Sequence, residues 1–560
     1  MSAQPIQRRQ LYTSCAILAI PLALAGMAAH AQTTSSTAGV LRTSTVGTAA
    51  TGANSTVTVA AAASTVTTGK TAAATTTTAS TGATAKPATT TTVSSSTTPT
   101  VKPASTGTAT TSAAPVTAYS NTSKFGNFLR PFAANSLWNA RPVNPKFGTF
   151  AIPTSDYYPV VGSGAYSAGV FEGLPTDPPM EIVGPAGSKG LWNADAEEYV
   201  PSITVPHFPT TTTPSTSGDG HADIIDSATG IVHSFWQLKQ VNGKWQAHTY
   251  GWTRVDGSGW GDPARYYQGA RAAAVPPLAG LIRKHEIDDG ADSFSHALSM
   301  SLTFNALGGK PTYVYPATSA DTYAASLNSG QIPEGSLVML PPSFDVSKLT
   351  SPKLRKVANT LKKYGAYVVD QNAGTPYFIY VENNSGYCMH CMPWNSVVAA
   401  ELQQVRAALR QVVAADGWLD GDGKAMVPQT KFNLLSMRGP WTRVSGTGTG
   451  KFNTYSQAVE FGPTTAATTL TNGTGRGLAG VTWAKTEPGT TMKLTAITTG
   501  GGKFRAQVYG GSKVAFDTGL MENGATARFV LPTGGWYVFY AISGVGASST
   551  VRATLETVTP

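Results

Sequence analysis

The sequence predicts a mainly β protein: a β-rich, jelly-roll or sandwich-like main domain with a few helices, then a small C-terminal β-sandwich. Three observations predict it. Short apolar–polar alternations, punctuated by Gly, Asn and Pro, recur from about residue 124 to the end. Helical spacing is confined to three stretches of the main domain. Charged residues make up 12% of the 560, about half the ~25% usual in soluble globular chains, which argues against a long coiled coil or charge-rich disorder.

In chain order, residues 1–31 read as an export signal. Arg8 and Arg9 form a positive start, an apolar run extends from Cys15 to about Ala29, and Ala29-His30-Ala31 supplies the small residues of a cleavage site after Ala31. This reading implies a secreted or periplasmic bacterial protein with no membrane span after cleavage. Residues 32–123 are a Thr/Ser/Ala-rich stretch without Asp or Glu, expected to be a disordered linker. Aromatic residues begin abruptly at Phe125, and a glycine-rich run lies at 445–450. The main domain is therefore placed at 124–444 and the accessory sandwich at 451–560.

The formal net charge of +10 divides unevenly. Residues 1–123 carry six basic residues and no acidic ones, 124–445 carry equal numbers, and 446–560 carry a net +4. A neutral main domain is not the dense basic surface that nucleic acid requires, so no nucleic-acid partner is expected. Three Cys in the whole chain exclude a disulfide-built scaffold.

Within the main domain, 220–226, 231–240 and 244–254 read as an antiparallel meander. Asn242-Gly243 is a strong two-residue hairpin signal, which sets paired positions to sum to 485. His233, Phe235, Gln237, His248, Tyr250 and Trp252 then share one face. The other face, with Ile225, Val232, Trp236, Leu238, Trp245 and Ala247, reads as core. Helices are predicted from Ser351-Pro352 to Gly365, over 396–415, and, shorter, over 276–289. Strands are predicted at 312–315, 336–340, 366–370 and 377–382.

Several groups are candidates for chemistry. His248 and Tyr250, two apart on a strand, suit the base and acid of a β-elimination from a uronic-acid polysaccharide. Gln237, Trp252, Arg254 and Arg271 would bind the substrate and neutralise its carboxylate. Within Gly218-Asp219-Gly220-His221-Ala222-Asp223, His221 lies beside acids that can orient an imidazole. His296 follows the acidic run 288–292. Hydrolysis would instead use two carboxylates, with Asp223, Asp226 and Glu286 as candidates. Trp236, Trp245, Trp252 and Trp260 suit a saccharide groove, with at least two of them expected in the core. Cys388 and Cys391 are expected to form a local disulfide. Asp420-Gly-Asp422-Gly lacks the downstream Glu of a calcium loop and reads as a turn, so neither a metal nor a cofactor is expected.

The segments 220–226, 276–283 (Pro276-Pro277-Leu278-Ala279-Gly280-Leu281-Ile282-Arg283) and 295–298 (Ser295-His296-Ala297-Leu298) resemble a group of secreted bacterial proteins over about 125–415. The resemblance adds weight to His221 and His296 and transfers no activity. The expected function is a secreted enzyme acting on extracellular or cell-surface polysaccharide, with a lyase ahead of a glycoside hydrolase. The rival is a non-catalytic carbohydrate-binding or matrix protein.

Overall fold

The computed structural model describes residues 124–391, 393–472 and 480–558. The expected export signal at 1–31 and the expected linker at 32–123 lie outside them. The described chain is mainly β, with three α-helices at Ala324–Leu327, Pro352–Lys363 and Ser396–Ala408. No described helix is long and apolar enough to cross a membrane.

The main domain is built in layers. A seven-stranded sheet has the order Lys146–Phe147, Arg410–Ala414, Leu337–Met339, Ala366–Asn372, Leu298–Thr303, Tyr377–Tyr380, Val160–Gly162. Alternation sends Met300, Leu302, Val368 and Ile379 outward, where Leu354, Val357, Leu361, Val398, Leu402 and Val405 of the two long helices cover them. Tyr367, Val369 and Tyr380 point inward and pack on Ile225 and Val232 of a six-stranded sheet. That sheet runs Gly169–Gly173, Ala222–Asp226, Ile231–Trp236, Thr249–Arg254, Leu191–Asn193, Glu198–Val200. Its far face, with Ile224, Phe235, Tyr250 and Trp252, is buried under Ile182, Val205 and Phe208 of a four-stranded sheet and its flanks. Both large sheets contain parallel pairs, Leu298↔Ala366 and Gly169↔Ala222 among them. The sandwich-like expectation is met, and the parallel pairs set it apart from an all-antiparallel jelly roll.

The meander holds its expected register, with His233 opposite Trp252, Phe235 opposite Tyr250 and, across the Asn242-Gly243 turn, Lys239 opposite Gln246. The ladder breaks at Gln237, whose φ of 57° turns the hairpin tip into the four-stranded sheet. The face rich in His, Tyr and Trp is therefore a core face, because an extra layer covers it, and the break moves Leu238 and Ala247 into that same core. Of the four tryptophans, Trp252 and Trp260 are buried.

The helix Pro352–Lys363 has its Ser351 cap, which accepts from the Leu354 N–H, and Gly365 (φ 76°) follows its end. The expected helix over 396–415 stops at Ala408. Residues Arg410–Ala414 form a strand instead, because Leu337–Met339 and Lys146–Phe147 offer it partners on both sides. The expected helix over 276–289 shrinks to one 3₁₀ turn, Lys284–Glu286. Pro276, Pro277 and the positive φ of Gly280 prevent more. At 312–315 only an isolated bridge from Tyr313 to Glu334 forms. Cys388 and Cys391 are bonded to each other, with Cα atoms 5.6 Å apart. Asp420 accepts from the N–H groups of Asp422 and Lys424, which closes the turn.

The C-terminal part is a sandwich of two five-stranded antiparallel sheets. Thr442–Ser445 and Gly450–Asn453 belong to different sheets of it, so the glycine-rich run 445–450 is a crossing within the sandwich, whose first strand lies ahead of that run. Leu434, Leu435 and Met437 enter its core. Bonds to the main domain run through Arg438–Glu197 (2.9 Å), Thr454–Trp252 (3.1 Å), Tyr455–Tyr250 (3.2 Å), Gln457–Asp195 (2.8 Å) and Trp483–Ala317 (2.6 Å). Val481 is part of the main domain's inter-sheet core.

Candidate functional site

The inner face of the seven-stranded sheet turns polar along Leu298–Thr303, where Ser299, Ser301 and Thr303 alternate with the outward Met300 and Leu302. On the neighbouring strand, simple alternation would aim Asp370 outward beside Val368. The register shifts there: Met300 pairs with Val368 but Ser301 with Asp370. The extra residue is a β-bulge, and it turns Asp370 inward, level with Ser301.

A loop enters the same space from the other sheet. A Cβ on Gly251 would stand 2.6 Å from the Gly269 carbonyl oxygen, so glycine allows the loop to lie on the strand. The Ala273 N–H donates to Val369, the Leu278 N–H to the Asp223 carboxyl (2.5 Å), and the Thr253 hydroxyl to Gln268. So fastened, the loop carries Arg271, whose side chain is fully buried.

Arg271 donates to Asp370 Oδ2 at 2.9 Å and to the Tyr166 carbonyl at 3.3 Å, and its guanidinium carbon stands 3.8 Å from the centre of the Tyr380 ring. The Tyr380 hydroxyl donates to the same Asp370 oxygen at 3.4 Å. A second carboxyl arrives from a different loop. The Gln371 N–H is shared between Asp370 Oδ1 (3.1 Å) and Asp321 Oδ2 (3.0 Å), and the Asp321 N–H donates to Glu334 Oε1 (3.2 Å). One nitrogen holding both oxygens keeps them closer than the ~6.5–9.5 Å of an inverting pair.

The electrostatics separate the two acids. Burial, with Asp219 adding repulsion against the pull of Arg271, raises the Asp370 carboxyl to about 6. Burial raises Asp321 and Glu334 well above the usual range, and the negative charge of Asp370 adds to it, so the protonated form of this pair is favoured. Burial works against the Arg271 charge, but Tyr380 and Asp370 hold its pKa above the ordinary value. Arg271 and Glu334 form the floor, while Asp219, Asp321 and Asp370 reach solvent in part. Exposed tyrosines stand next to the cluster at two places: Tyr166 (49% exposed) on Arg271, and Tyr323 (48%) just after Asp321.

Of the sequence candidates, Arg271 lies in this site. His221 sits behind it: its Nδ1 bonds the Phe235 carbonyl, and burial with the nearby Arg271 charge lowers it to about 3, so the imidazole is neutral. Gln237 donates its N–H to the Asp219 carbonyl (2.7 Å) and so supports the loop behind the site. Asp223 fastens the Arg271 loop, as above. His248 and Tyr250 do not meet. His248 bonds Thr249, with Trp236 edge-on to its ring, whereas the buried Tyr250 hydroxyl bonds His233 (2.9 Å) and Tyr455. Trp252 is buried and bonds Thr454, and Arg254 is held by Asp256.

The three alternative carboxylates also do not converge. Asp226 lies on the opposite face of the strand from Asp223 and is bonded to His207, and Glu286 pairs with His296 at 3.1 Å. Both ring nitrogens of His296 meet acceptors, Glu286 and the Ala297 carbonyl, which makes it an imidazolium in an ion pair. Burial opposes the Glu286 charge, but His296 brings its pKa down to about 2.

The sequence reading omitted Asp321, Glu334, Asp370 and Tyr380 and left Asp219 without a role. The available signal for Asp370 was the polar triplet Asp370-Gln371-Asn372 ending an apolar strand.

No family model matches the chain, and no curated protein does. Among solved structures, it has a local likeness to the Glycosylation Associate Protein (Gap123) complex from Streptococcus agalactiae (15% identity, 22% of this chain and 46% of that one, TM-score 0.16). A second is the enzymatically active domain of bacteriophage CBA120 tailspike protein 4 (14%, 22% and 21%, TM-score 0.16). A third is TmCBM61 in complex with β-1,4-galactotriose (13%, 23% and 99%, TM-score 0.15). The chain thus spans less than half of the first two. At such TM-scores neither fold nor activity is taken from these likenesses.

Proposed function

We propose that this protein is a polysaccharide-acting enzyme with its acid–base chemistry in the Asp219/Arg271/Asp321/Asp370/Tyr380 cluster, and that the reaction is hydrolysis of a glycosidic bond. The observation that carries the proposal is the pair of carboxyls held on one backbone N–H, one bonded to a buried guanidinium and the other set against a third buried carboxyl. Glycoside hydrolysis asks for that division of labour. Asp370, held by Arg271, is the nucleophile. Asp321, sharing its proton with Glu334, is the acid. The exposed tyrosines offer ring faces for sugars to stack on.

Elimination from a uronate is less favoured. It needs cations facing the substrate carboxylate, and here the single arginine is engaged by Asp370 among further acids. The export signal read at 1–31, outside the described residues, supports a substrate beyond the cytoplasm.

The test is turnover of a polysaccharide panel by the full chain, followed as reducing ends and as unsaturated ends. Reducing ends alone are expected, lost about 10²-fold or more in Asp370→Asn and Asp321→Asn and kept in His248→Ala. Unsaturated products, or loss in His248→Ala with retention in Asp370→Asn, would overturn the proposal. Tight binding without turnover across the panel would favour the matrix-protein rival.

A further inference from the structure

The C-terminal sandwich carries an organised surface with no part in the acid cluster. On the sheet ordered Thr442–Ser445, Thr469–Thr471, Gly535–Ile542, Lys503–Gly510, Lys513–Asp517, the strand register places Arg505 opposite Tyr540, Tyr509 opposite Trp536, and Gln507 opposite Asp517. Phe504, Ala506, Val508, Tyr537, Phe539 and Ala541 alternate with these and fill the core. The first set therefore shares the outward face. The Tyr509 and Trp536 rings are stacked, 3.9 Å between centroids and 9° between planes. Gln507 Oε1 accepts from the hydroxyls of Tyr540 (3.1 Å) and Tyr509 (3.4 Å), and its amide donates to Asp517 (2.9 Å). Asp517 in turn takes both arms of Arg505 at 2.9 and 2.5 Å, which holds its carboxyl well below the usual range.

The opposite sheet lacks such a face. The outward positions of its strands Thr491–Thr499 and Ser549–Thr557 are threonines, Ile497 and charged residues, without a ring. The bonds to the main domain named above use residues 438, 454–457 and 483, so this aromatic face is not spent on holding the two parts together.

We propose that this face is a second saccharide site, which binds a neutral polysaccharide and keeps the acid cluster proposed above as catalytic close to its substrate. Rings held in a stacked pair, which leaves an outer ring face and the ring edges to solvent, and phenol hydroxyls fixed by Gln507 match the C–H faces and hydroxyls of sugar rings with little ordering cost. The charge balance selects the ligand class. Arg505 is neutralised by Asp517, and Lys503, on the same outward face, by Glu522 at 2.9 Å, so both cations are already engaged and neither is offered unpaired to an anionic polymer.

The experiment is native affinity electrophoresis of the full chain in gels containing β-glucan, galactomannan, arabinogalactan or, as the anionic control, alginate. Retardation by at least one neutral polymer is expected. It should weaken about tenfold or more in Trp536→Ala and in Tyr540→Ala and survive in Asp370→Asn. Tyr540→Phe, which keeps the ring, should retain most of it. The proposal falls if no neutral polymer retards the chain, if only alginate does, or if folded Trp536→Ala and Tyr540→Ala proteins bind like the parent. Loss of turnover in Asp370→Asn with binding retained separates this site from the catalytic one.

Discussion

At the scale of single residues, Asp370 and Asp321 owe their division of labour to position. Both are half-buried, yet only Asp370 has a guanidinium on it. Hydrolysis should therefore rise with pH through about 6 as Asp370 ionises, and fall where the Asp321/Glu334 pair gives up its proton. A pH–rate profile of kcat/KM checks this, and Asp321→Asn should erase the alkaline limb. The closeness of the two oxygens predicts retention, seen as the first product anomer by NMR; inversion would remove Asp321 and Asp370 as the catalytic pair.

Asp223 gives a stability prediction. Burial raises its folded pKa to about 7, above the unfolded value of ~3.9. Between those values the folded state holds the extra proton, so the Asp223 contribution to stability falls as pH rises from about 4 to 7. Asp223→Asn removes that slope and retains an acceptor for Leu278. Its Tm relative to the parent should climb across this window by roughly several degrees; a pH-independent difference would refute the assignment.

At the scale of elements, local signals were legible and long-range ones were not. Asn242-Gly243 set the meander register because a two-residue turn leaves one pairing. Ser351, Pro352 and Gly365 bounded a helix because caps act locally. The strand at 410–414 was hidden, since its pairing partners lie some 70 and 260 positions away. The core face of the meander was misread because the covering sheet includes strands at Met180–Val183 and Ser202–Val205, which no local pattern connects to it. Asp370 escaped for a related reason: alternation assigns it outward, and only the bulge against Ser301 reverses it. Asp321 and Glu334 come from irregular segments with no periodicity to read. Arg271 was legible only as a cation for a substrate carboxylate, since its partner Asp370 is 99 positions away.

The element that fixes Arg271 can be tested at its closest approach. Gly251→Ala places a methyl against the Gly269 backbone, and should cost about 1–3 kcal/mol in urea unfolding and lower activity more than a surface change of equal cost. Ser351→Ala, which removes the helix cap on the far side of the sheet, should cost about 1 kcal/mol with turnover unchanged.

At the scale of the whole molecule, the two parts share a core. Val481 and Trp483 of the C-terminal part pack with Tyr315 and Ala317 of the main domain. The Asp195 carboxyl, raised by burial to about 7, is bonded across the boundary to Gln457. A chain truncated after residue 432 should therefore aggregate or melt well below the full chain, measured by size exclusion and thermal unfolding. A soluble 124–432 fragment with an unchanged Tm would show that the parts are independent. The layering has a further consequence for time rather than structure. Leu298–Thr303 is buried along its whole length, paired on both edges and covered on both faces. Its amides should be among the last to exchange with deuterium, because they open only when the domain unfolds. Ser301 beneath Asp370 thus belongs to the slowest-moving part of the protein, and any motion that admits or releases a polymer falls to the loops around it.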